Sequence, residues 1–369
     1  MSKYNLPDIR SQIDQLDIQI QSLITQRAGL AIEVAQAKKA ELENPHFYRP
    51  EREAEVLRNV MRRNQGPLTD KTLTLLFREM MSACLALQKP LQIAFLGPVG
   101  TYSQAAVCKH FGHAMQNVPL QTIDEVFREV EAGIADYGVV PLENSTEGGV
   151  NQTLDCFVKT PLKICGEIEL PIHHHLLSMV TELDKIERIY AHPQSLAQCR
   201  GWLDNQLPTI ERVAVNSNAE AARRAAEETG AAAIAGKMAA EIYQLHKVAS
   251  RIEDDVNNTT RFAVLGRQEV ERSGKEWEDD GVSTNYKTSL LLSSPNKSGA
   301  LYHILEPFAD NNVSMTRIES RPSRQGIWDY VFFVDIEGHI KDSSVAKSIT
   351  ALEKRTSLIK HLGSYPRAI

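Results

Sequence analysis

Gly97-Pro98-Val99-Gly100-Thr101-Tyr102-Ser103 joins an apolar run to a helix-like one, and its backbone N–H groups and hydroxyls are of the kind that bind an anion. It is not a dinucleotide fingerprint, because Gly-x-Gly-x-x-Gly is absent. Pro141-Leu142-Glu143-Asn144-Ser145-Thr146-Glu147-Gly148-Gly149 follows a second strand-like run, and Ala191-His192-Pro193-Gln194-Ser195-Leu196-Ala197-Gln198-Cys199 leads from a third into a helix. Thr259-Thr260-Arg261-Phe262 enters a fourth. Four polar strings at strand termini describe a cleft between two α/β lobes. A second set lies in the first ninety residues. Arg10, Arg27, Lys38 and Arg52 can clamp carboxylates, with Glu53 and Gln88 as further hydrogen-bonding groups. Any one of these charges fits a solvated helix face as well.

His173-His174-His175 looks like a metal cluster, yet neighbours on a strand point to opposite faces and no Asp, Glu or Cys set accompanies them. A structural reading is preferred, and no metal or other cofactor is expected. Cys199 reads as a buried small residue rather than a nucleophile.

The elements that must position these groups fall into three textures. From Pro7 to Lys39 apolar residues recur at three- and four-residue steps, which predicts one helix of about 33 residues and roughly 50 Å. Its stripe cannot be buried within a 90-residue monomer, so the pattern itself predicts dimerisation. Asn44-Pro45 ends that helix, and two more are expected over 50–63 and 69–88. Beyond Lys89-Pro90 strands and helices alternate: strands at 91–96, 118–120, 137–141, within 164–180, at 187–191, 231–235 and 261–265, with helices at 102–110, 124–133, 218–229 and 236–243. The strand at 261–265 is expected to return to the first lobe, as in periplasmic binding proteins. Residues 269–285 are charged and aperiodic, a linker. The order strand 288–292, helix 300–310, strands 313–319 and 329–337, helix 343–354 and strand 359–364 is ferredoxin-like. The expected fold class is therefore multidomain: an all-α module at 1–90, a two-lobed α/β module at 91–268, and an α+β module at 286–369.

Composition bounds the rest. The chain has 369 residues, 42% hydrophobic and 24% charged, as in ordinary globular proteins. Its net charge of −6 gives no reason to expect nucleic acid or an anionic membrane. The first ninety residues carry 13 Lys+Arg against 11 Asp+Glu, leaving −8 on the remainder; a faintly cationic helical module suits a small anionic substrate. Five cysteines without a Cys-x-x-Cys pair argue against a disulfide framework, and with no apolar signal core or membrane span a cytoplasmic location is expected.

In this order the strings resemble a known family. The Gly97–Ser103 string, Thr259-Thr260-Arg261-Phe262, and Glu319-Ser320-Arg321-Pro322, with 59 residues from Thr260 to Glu319, look like prephenate dehydratase joined to a phenylalanine-sensing ACT domain. Arg10, Arg27, Lys38, Arg52, Glu53 and Gln88 resemble the set of an all-helical chorismate mutase. Nearly the whole chain thus resembles the bifunctional chorismate mutase–prephenate dehydratases. The resemblance implies an intertwined mutase dimer in which Arg27, and Arg10 from the partner protomer, bind the carboxylates of chorismate. Arg52 and Glu53 match a middle-helix pair, with Glu53 accepting from a substrate hydroxyl, and Lys38 and Gln88 match the donors to the ether oxygen. Arg49 stands where some relatives have a carboxylate and Cys84 where Ser is frequent, so substrate contacts there differ. For prephenate, the resemblance gives Thr260 the donor role toward the leaving hydroxyl. Asn144, Glu143 and Gln198 line the site, and Arg261, Thr101 and Ser103 are carboxylate binders. A Thr hydroxyl is a poor acid, so Glu143, its pKa raised by burial, and His192 compete for that role. Gly299, Ala300, Leu301, Asn312, Glu319, Ser320 and Arg321 match the pattern that binds phenylalanine between paired ACT domains.

Two other classes of function stay open at this point. One is a cytoplasmic amino-acid-sensing regulator without turnover; the other is the same dehydratase acting on arogenate. A mutase–dehydrogenase would need the missing nicotinamide fingerprint. Oligomers beyond the homodimer, channelling of prephenate, rates and sensitivity to phenylalanine are not legible.

Overall fold

The structure is a computed structural model that describes residues 5–41, 43, 46–273, 285–294, 298–322 and 330–369. Most of the expected linker, together with Asn44-Pro45 and the start of the strand expected at 329, lies outside these residues. The chain forms two compact units. The first comprises residues up to 49, 56–91 and 111–116; the second comprises 50–55, 92–110 and 117–369.

α1 (Leu6–Glu41) exceeds the expected length, with Asp8 in its first turn and Lys38 and Lys39 in its last, charges that complement the helix dipole. Its 36 residues extend about 54 Å. Only Ala35 is buried, while Ile13, Leu16, Ile20, Leu23 and Leu30 are half or more exposed. α2 (Pro50–Arg63) begins with Pro in its first turn, and α3 (Asp70–Gln88) begins where the Thr69 hydroxyl accepts from Thr72 N–H. Within the first unit α3 packs along α1.

In the second unit β1 (Gln92–Leu96), α4 (Tyr102–Phe111), β2 (Gln116–Leu120), α5 (Ile123–Glu131), β3 (Tyr137–Asn144), β4 (Gly148–Gly149), α6 (Asn151–Lys159) and β5 (Lys163–Pro171) build the first lobe. A reciprocal Thr122–Glu125 capping box starts α5 and buries Ile123, Val126, Phe127 and Val130. The second lobe holds β6 (His175–Ser178), β7 (Arg188–Ala191), α7 (Pro193–Gln198), α8 (Arg200–Gln206), β8 (Glu211–Ala214), α9 (Asn218–Glu227), β9 (Ala231–Ala235), α10 (Lys237–Ile242) and β10 (His246–Ser250). β11 (Thr259–Gly266) then returns to the first sheet and pairs antiparallel with both β3 and β5. The sheet orders are β2-β1-β3-β11-β5, with β4 beside β3, and β10-β6-β9-β7-β8. Two segments therefore cross between the lobes, Ile172–His174 and Arg251–Asn258, tied by Ile252 N–H to His174 O at 2.9 Å and Ile172 N–H to Asn258 O at 2.8 Å.

The C-terminal part is β12 (Tyr286–Ser294), α11 (Ala300–Asp310), β13 (Met315–Pro322), β14 (Tyr330–Glu337), α12 (Ser343–Glu353) and β15 (Leu358–Pro366), in sheet order β13-β14-β12-β15. This is the ferredoxin-like arrangement. One face carries the helices, with Leu290, Leu292, Ile304, Phe308 and Val345 in its core. The other face packs on the first lobe: Leu291, Val331, Phe333, Leu362 and Tyr365 share one cluster with Phe127, Phe157 and Leu162. The sheet is apolar on both sides because it is covered on both sides.

Candidate functional site

The cleft between the lobes has a volume of about 350 Å³, and its walls come from all four strings singled out in the sequence. Thr101, Ser103, Asn144, Gln198 and Thr260 line it, as does His192. Glu143 and Arg261 do not. Thr260 and Arg261 are successive residues of β11, as Glu143 and Asn144 are of β3, so one of each pair faces the cleft and the other faces away. Thr260 pairs in register with Asn144, and Arg261 with Glu143.

On the far side Arg261 is ion-paired with Asp335 of β14 and lies 3.8 Å from Glu143, which is held at 3.0 Å by Arg317 of β13. Ser289 donates to Asp335 at 2.5 Å. The expectation that Arg261 binds a substrate carboxylate, and that Glu143 serves in the cleft, is not met by this geometry. Burial disfavours the Arg261 cation, but Asp335 holds its pKa above the usual value. Arg261→Met is expected to lower unfolding stability by about 3–5 kcal/mol, because Asp335, 4% exposed, loses its cation. The urea midpoint of the purified protein checks this; a change below 1 kcal/mol would make the pair dispensable.

The cations expected around the cleft are thus replaced by helix ends. Gly100–Ser103 at the N-terminus of α4 and Asn216–Asn218 at that of α9 are among the residues that line the cleft. The N-terminal ends of two ten-residue helices place partial positive charge there without a Lys or Arg among the lining residues. Gly100 has φ +88°, and a Cβ there would meet Tyr243 at 3.3 Å, so the turn into α4 requires glycine.

Hydrogen bonds orient the polar groups. Asn144 Oδ1 accepts from the backbone N–H groups of Thr146 (3.1 Å) and Glu147 (3.3 Å) and from the Thr146 hydroxyl (2.6 Å). Asn144 Nδ2 donates to Thr260 Oγ1 and to Asn258 Oδ1, both at 2.8 Å. Since Thr260 Oγ1 accepts from Asn144, its own proton is available to give away. Asn218 Nδ2 likewise donates to Ser195 Oγ at 2.8 Å.

Sequence reasoning missed several lining residues. His174, read as structural, is one; Asn258, one residue before the Thr259–Phe262 string, is another, and Asn216-Ser217-Asn218 is a third group. That triplet carried a signal, a polar run before an Ala-rich helix, capped by Ser217 accepting from Glu220 N–H at 3.0 Å. Burial holds the His174 pKa below its ordinary value and pushes that of Tyr102 up. Burial also pushes up Glu253, but its bonds from His173 and backbone N–H groups pull the carboxyl below the usual range.

In the helical unit Lys38 Nζ donates to His46 O at 2.9 Å and Phe47 O at 3.3 Å and sits 5.7 Å from the Phe47 ring centre. Cys84 is buried on α3, and Gln88 Oε1 is buried with no hydrogen-bond partner among the described residues. Arg10 and Arg49 are exposed and Arg27 is half-buried. On α2, Arg52 pairs with Glu55 at 2.9 Å, and Glu53 is half-buried. In the C-terminal sheet, Glu319 and Arg321 share the face of β13 turned to the first lobe. Arg321 bonds Asn151 Oδ1 at 2.5 Å and Asp155 at 2.8 Å, and Glu319 lies against Gly149. Gly299 (φ +79°) begins α11, where Ala300 is half-buried and Leu301 exposed, while Asn312 (φ +54°) follows the helix and Ser320 is exposed.

Family models match at residues 9–89 (chorismate mutase type II), 93–270 (prephenate dehydratase) and 288–354 (ACT domain). A bifunctional chorismate mutase/prephenate dehydratase of Stutzerimonas stutzeri is 52% identical over 99% of this chain and 98% of its own. A solved prephenate dehydratase from Arthrobacter aurescens, in complex with L-Phe, is 34% identical, with a TM-score of 0.68 over 75% of this chain and 90% of its own. The structure of GqqA, described as a quorum-quenching acylase, is 29% identical, with a TM-score of 0.67 over 75% of this chain and 98% of its own. With relatives of that identity along virtually its full length, the chain belongs to the bifunctional chorismate mutase/prephenate dehydratases.

Proposed function

We propose that the cleft between the α/β lobes is where prephenate loses carbon dioxide and hydroxide, with Thr260 as donor to the leaving hydroxyl. The chain is a chorismate mutase and a prephenate dehydratase, serving phenylalanine biosynthesis. The observation that carries the Thr260 role is its bond from Asn144, which uses the Thr260 oxygen as acceptor and leaves its proton free to donate, on a residue that lines the cleft. Aromatisation drives the elimination, so a well-placed donor suffices where a strong acid would otherwise be needed. The N-termini of α4 and α9, with Thr101 and Ser103, bind the carboxylates. Gln198 lines the second-lobe side.

Chorismate rearranges without proton transfer or covalent chemistry. It needs its carboxylates clamped and its ether oxygen, where negative charge develops, met by donors. Lys38 and Gln88 are those donors, and Arg10 and Arg27 the clamps; Arg52 and Glu53 keep the substrate contacts that the resemblance gives them, while Arg49 and Cys84 alter the contacts at their positions. Arg10 and Lys38 lie 28 residues apart on one straight helix, about 42 Å, so no single substrate reaches both on one chain. A second copy must supply Arg10. Covering the exposed stripe of α1 in the same homodimer would contribute about 1 kcal/mol for each half-exposed Leu or Ile.

The ACT domain binds phenylalanine and lowers dehydratase activity. Gly299 and Asn312 lie beyond opposite ends of α11, about 20 Å apart at the helical rise, so an amino acid touching both kinds of position spans two paired domains. Glu319 and Arg321, which the resemblance places among the phenylalanine-binding residues, instead contact Gly149, Asn151 and Asp155 of the first lobe and there transmit the effect, which requires that phenylalanine bind one state of the pair more tightly than the other.

Purified protein should form phenylpyruvate from chorismate and from prephenate, and phenylalanine should suppress both. A protein that binds phenylalanine yet turns over neither substrate would instead be a sensor.

A further inference from the structure

Between Tyr102 of the first lobe and Gln198 of the second stands one imidazole, that of His174 in a segment crossing between the lobes. Tyr102 Oη lies 2.9 Å from His174 Nδ1 and 2.8 Å from the His173 carbonyl. His174 Nε2 lies 2.9 Å from Gln198 Oε1, which Asn258 Nδ2 approaches at 3.3 Å. We propose that His174 is a positioning residue for the dehydratase: as the Nε2–H tautomer it saturates the Gln198 carbonyl oxygen, so that the Gln198 amide N–H groups are presented to the cleft.

The direction of every bond in the chain follows from two groups that cannot be reversed, the backbone N–H groups of Thr146 and Glu147. Both point at the same oxygen of Asn144, so that atom is the carbonyl Oδ1 and the other end of the amide donates. Asn144 Nδ2 therefore gives one proton to Thr260 Oγ1 and one to Asn258, whose facing atom must be Oδ1. Asn258 then turns its own Nδ2 to Gln198, whose facing atom must be Oε1. An imidazole nitrogen 2.9 Å from that carbonyl has to carry a proton. The other nitrogen, Nδ1, accepts from Tyr102, whose hydroxyl has the His173 carbonyl as a second acceptor.

With the opposite tautomer the Nε2 lone pair would face the Gln198 lone pair. With His174 protonated, Tyr102 would have to accept at Nδ1–H and give its proton to the His173 carbonyl. Burial opposes that state and favours the neutral ring. The charged and titratable groups around it are Tyr102 from α4, His173 beside it and Glu253 from the other crossing segment, whose Oε2 accepts from His174 N–H at 2.9 Å and whose Oε1 lies 2.8 Å from His173 Nδ1. Glu253 fixes the backbone of the crossing and His173, which leaves the His174 ring to Tyr102 and Gln198.

The oxygen of Gln198 is thus occupied by His174 and Asn258. One amide N–H reaches Thr146 Oγ1 at 3.4 Å, a weak contact, and the other is aimed among the cleft-lining groups. Saturating the oxygen prevents the amide from turning its acceptor toward an anionic substrate. The same polarity chain sets Thr260 Oγ1 as acceptor, so both proton-giving groups of the cleft take their direction from one network.

The inference rests on the cleft being the dehydratase site, so wild-type turnover of prephenate is measured first, and its absence would refute that assignment rather than this one. Given turnover, His174→Leu should lower kcat for prephenate by roughly 10- to 100-fold, with KM changed by less than about threefold. His174→Gln, which keeps an N–H near the Nε2 position, should recover most of that loss. In a Gln198→Leu background His174→Leu should cost less than about twofold, because the residue acts through Gln198. Equal losses in the two backgrounds, or unchanged kcat in His174→Leu, would overturn the proposal. If His174→Leu shows no cooperative thermal transition, Tyr102→Phe replaces it. That variant removes only the donor to Nδ1 and should lower kcat about fivefold in the wild-type background and not in Gln198→Leu; additive losses there overturn the proposal equally.

Discussion

Thr260→Val should lower kcat for prephenate dehydration by about 10²–10⁴-fold while chorismate rearrangement stays within about twofold of wild type. Valine keeps the shape of the side chain and β11 keeps its pairing with β3 and β5, so the change removes one hydroxyl from a position 8% exposed. Asn144 Nδ2 loses one of two acceptors but keeps Asn258 Oδ1, which limits the stability cost to about 1–3 kcal/mol. Thr260→Ser restores the hydroxyl and should restore most of the rate. The measurement is steady-state formation of phenylpyruvate from supplied prephenate, with mutase turnover as internal control. A valine variant at full rate would transfer the donor role to His192, because Glu143 is engaged by Arg317 on the other face of the sheet.

The second large effect is expected at the other activity. Lys38→Met should lower chorismate rearrangement by about 10²–10³-fold, the usual loss when one donor to a developing negative charge is removed. Dehydration of supplied prephenate should be unchanged. Met retains most of the apolar stem beside Phe47, so the loss would report the ammonium rather than packing. Following chorismate disappearance in one assay and phenylpyruvate from prephenate in another separates the two. If a folded Lys38→Met protein lost both activities, independent sites for the two reactions would be refuted.

The structural likeness to GqqA, whose description names a different activity, is a reminder that the two-lobed fold with its C-terminal sheet does not by itself dictate chemistry. Here the chemistry is carried by particular residues, and their legibility in the sequence varied for physical reasons. Local rules were enough for the elements: the three- and four-residue spacing along α1, the prolines that begin α2 and α7, and the alternation of strands and helices after residue 91. The return of β11 to the first sheet was also expected, by likeness to periplasmic binding proteins, and it pairs there with β3 and β5. Shorter pieces escaped. β8 and β10 carry charges on half-exposed edges of the second sheet, and α6 begins at Asn151 without a side-chain cap.

The residue types at the cleft, the spacing of its four polar strings and the exposed stripe of α1 belong to the sequence, because each is set by neighbours within a few positions. Which side of a strand a residue presents does not. Thr260 entered the cleft and Arg261, one residue on, was committed to Asp335, because the strand alternates faces and the C-terminal sheet covers the far one. His174 passed as a structural histidine until Tyr102, 72 residues before it, and Gln198, 24 after it, were brought against its two nitrogens. Only the tertiary structure decided those pairings: a hydrogen bond needs atoms within about 3 Å, and chain distance says nothing about which distant donors and acceptors will meet.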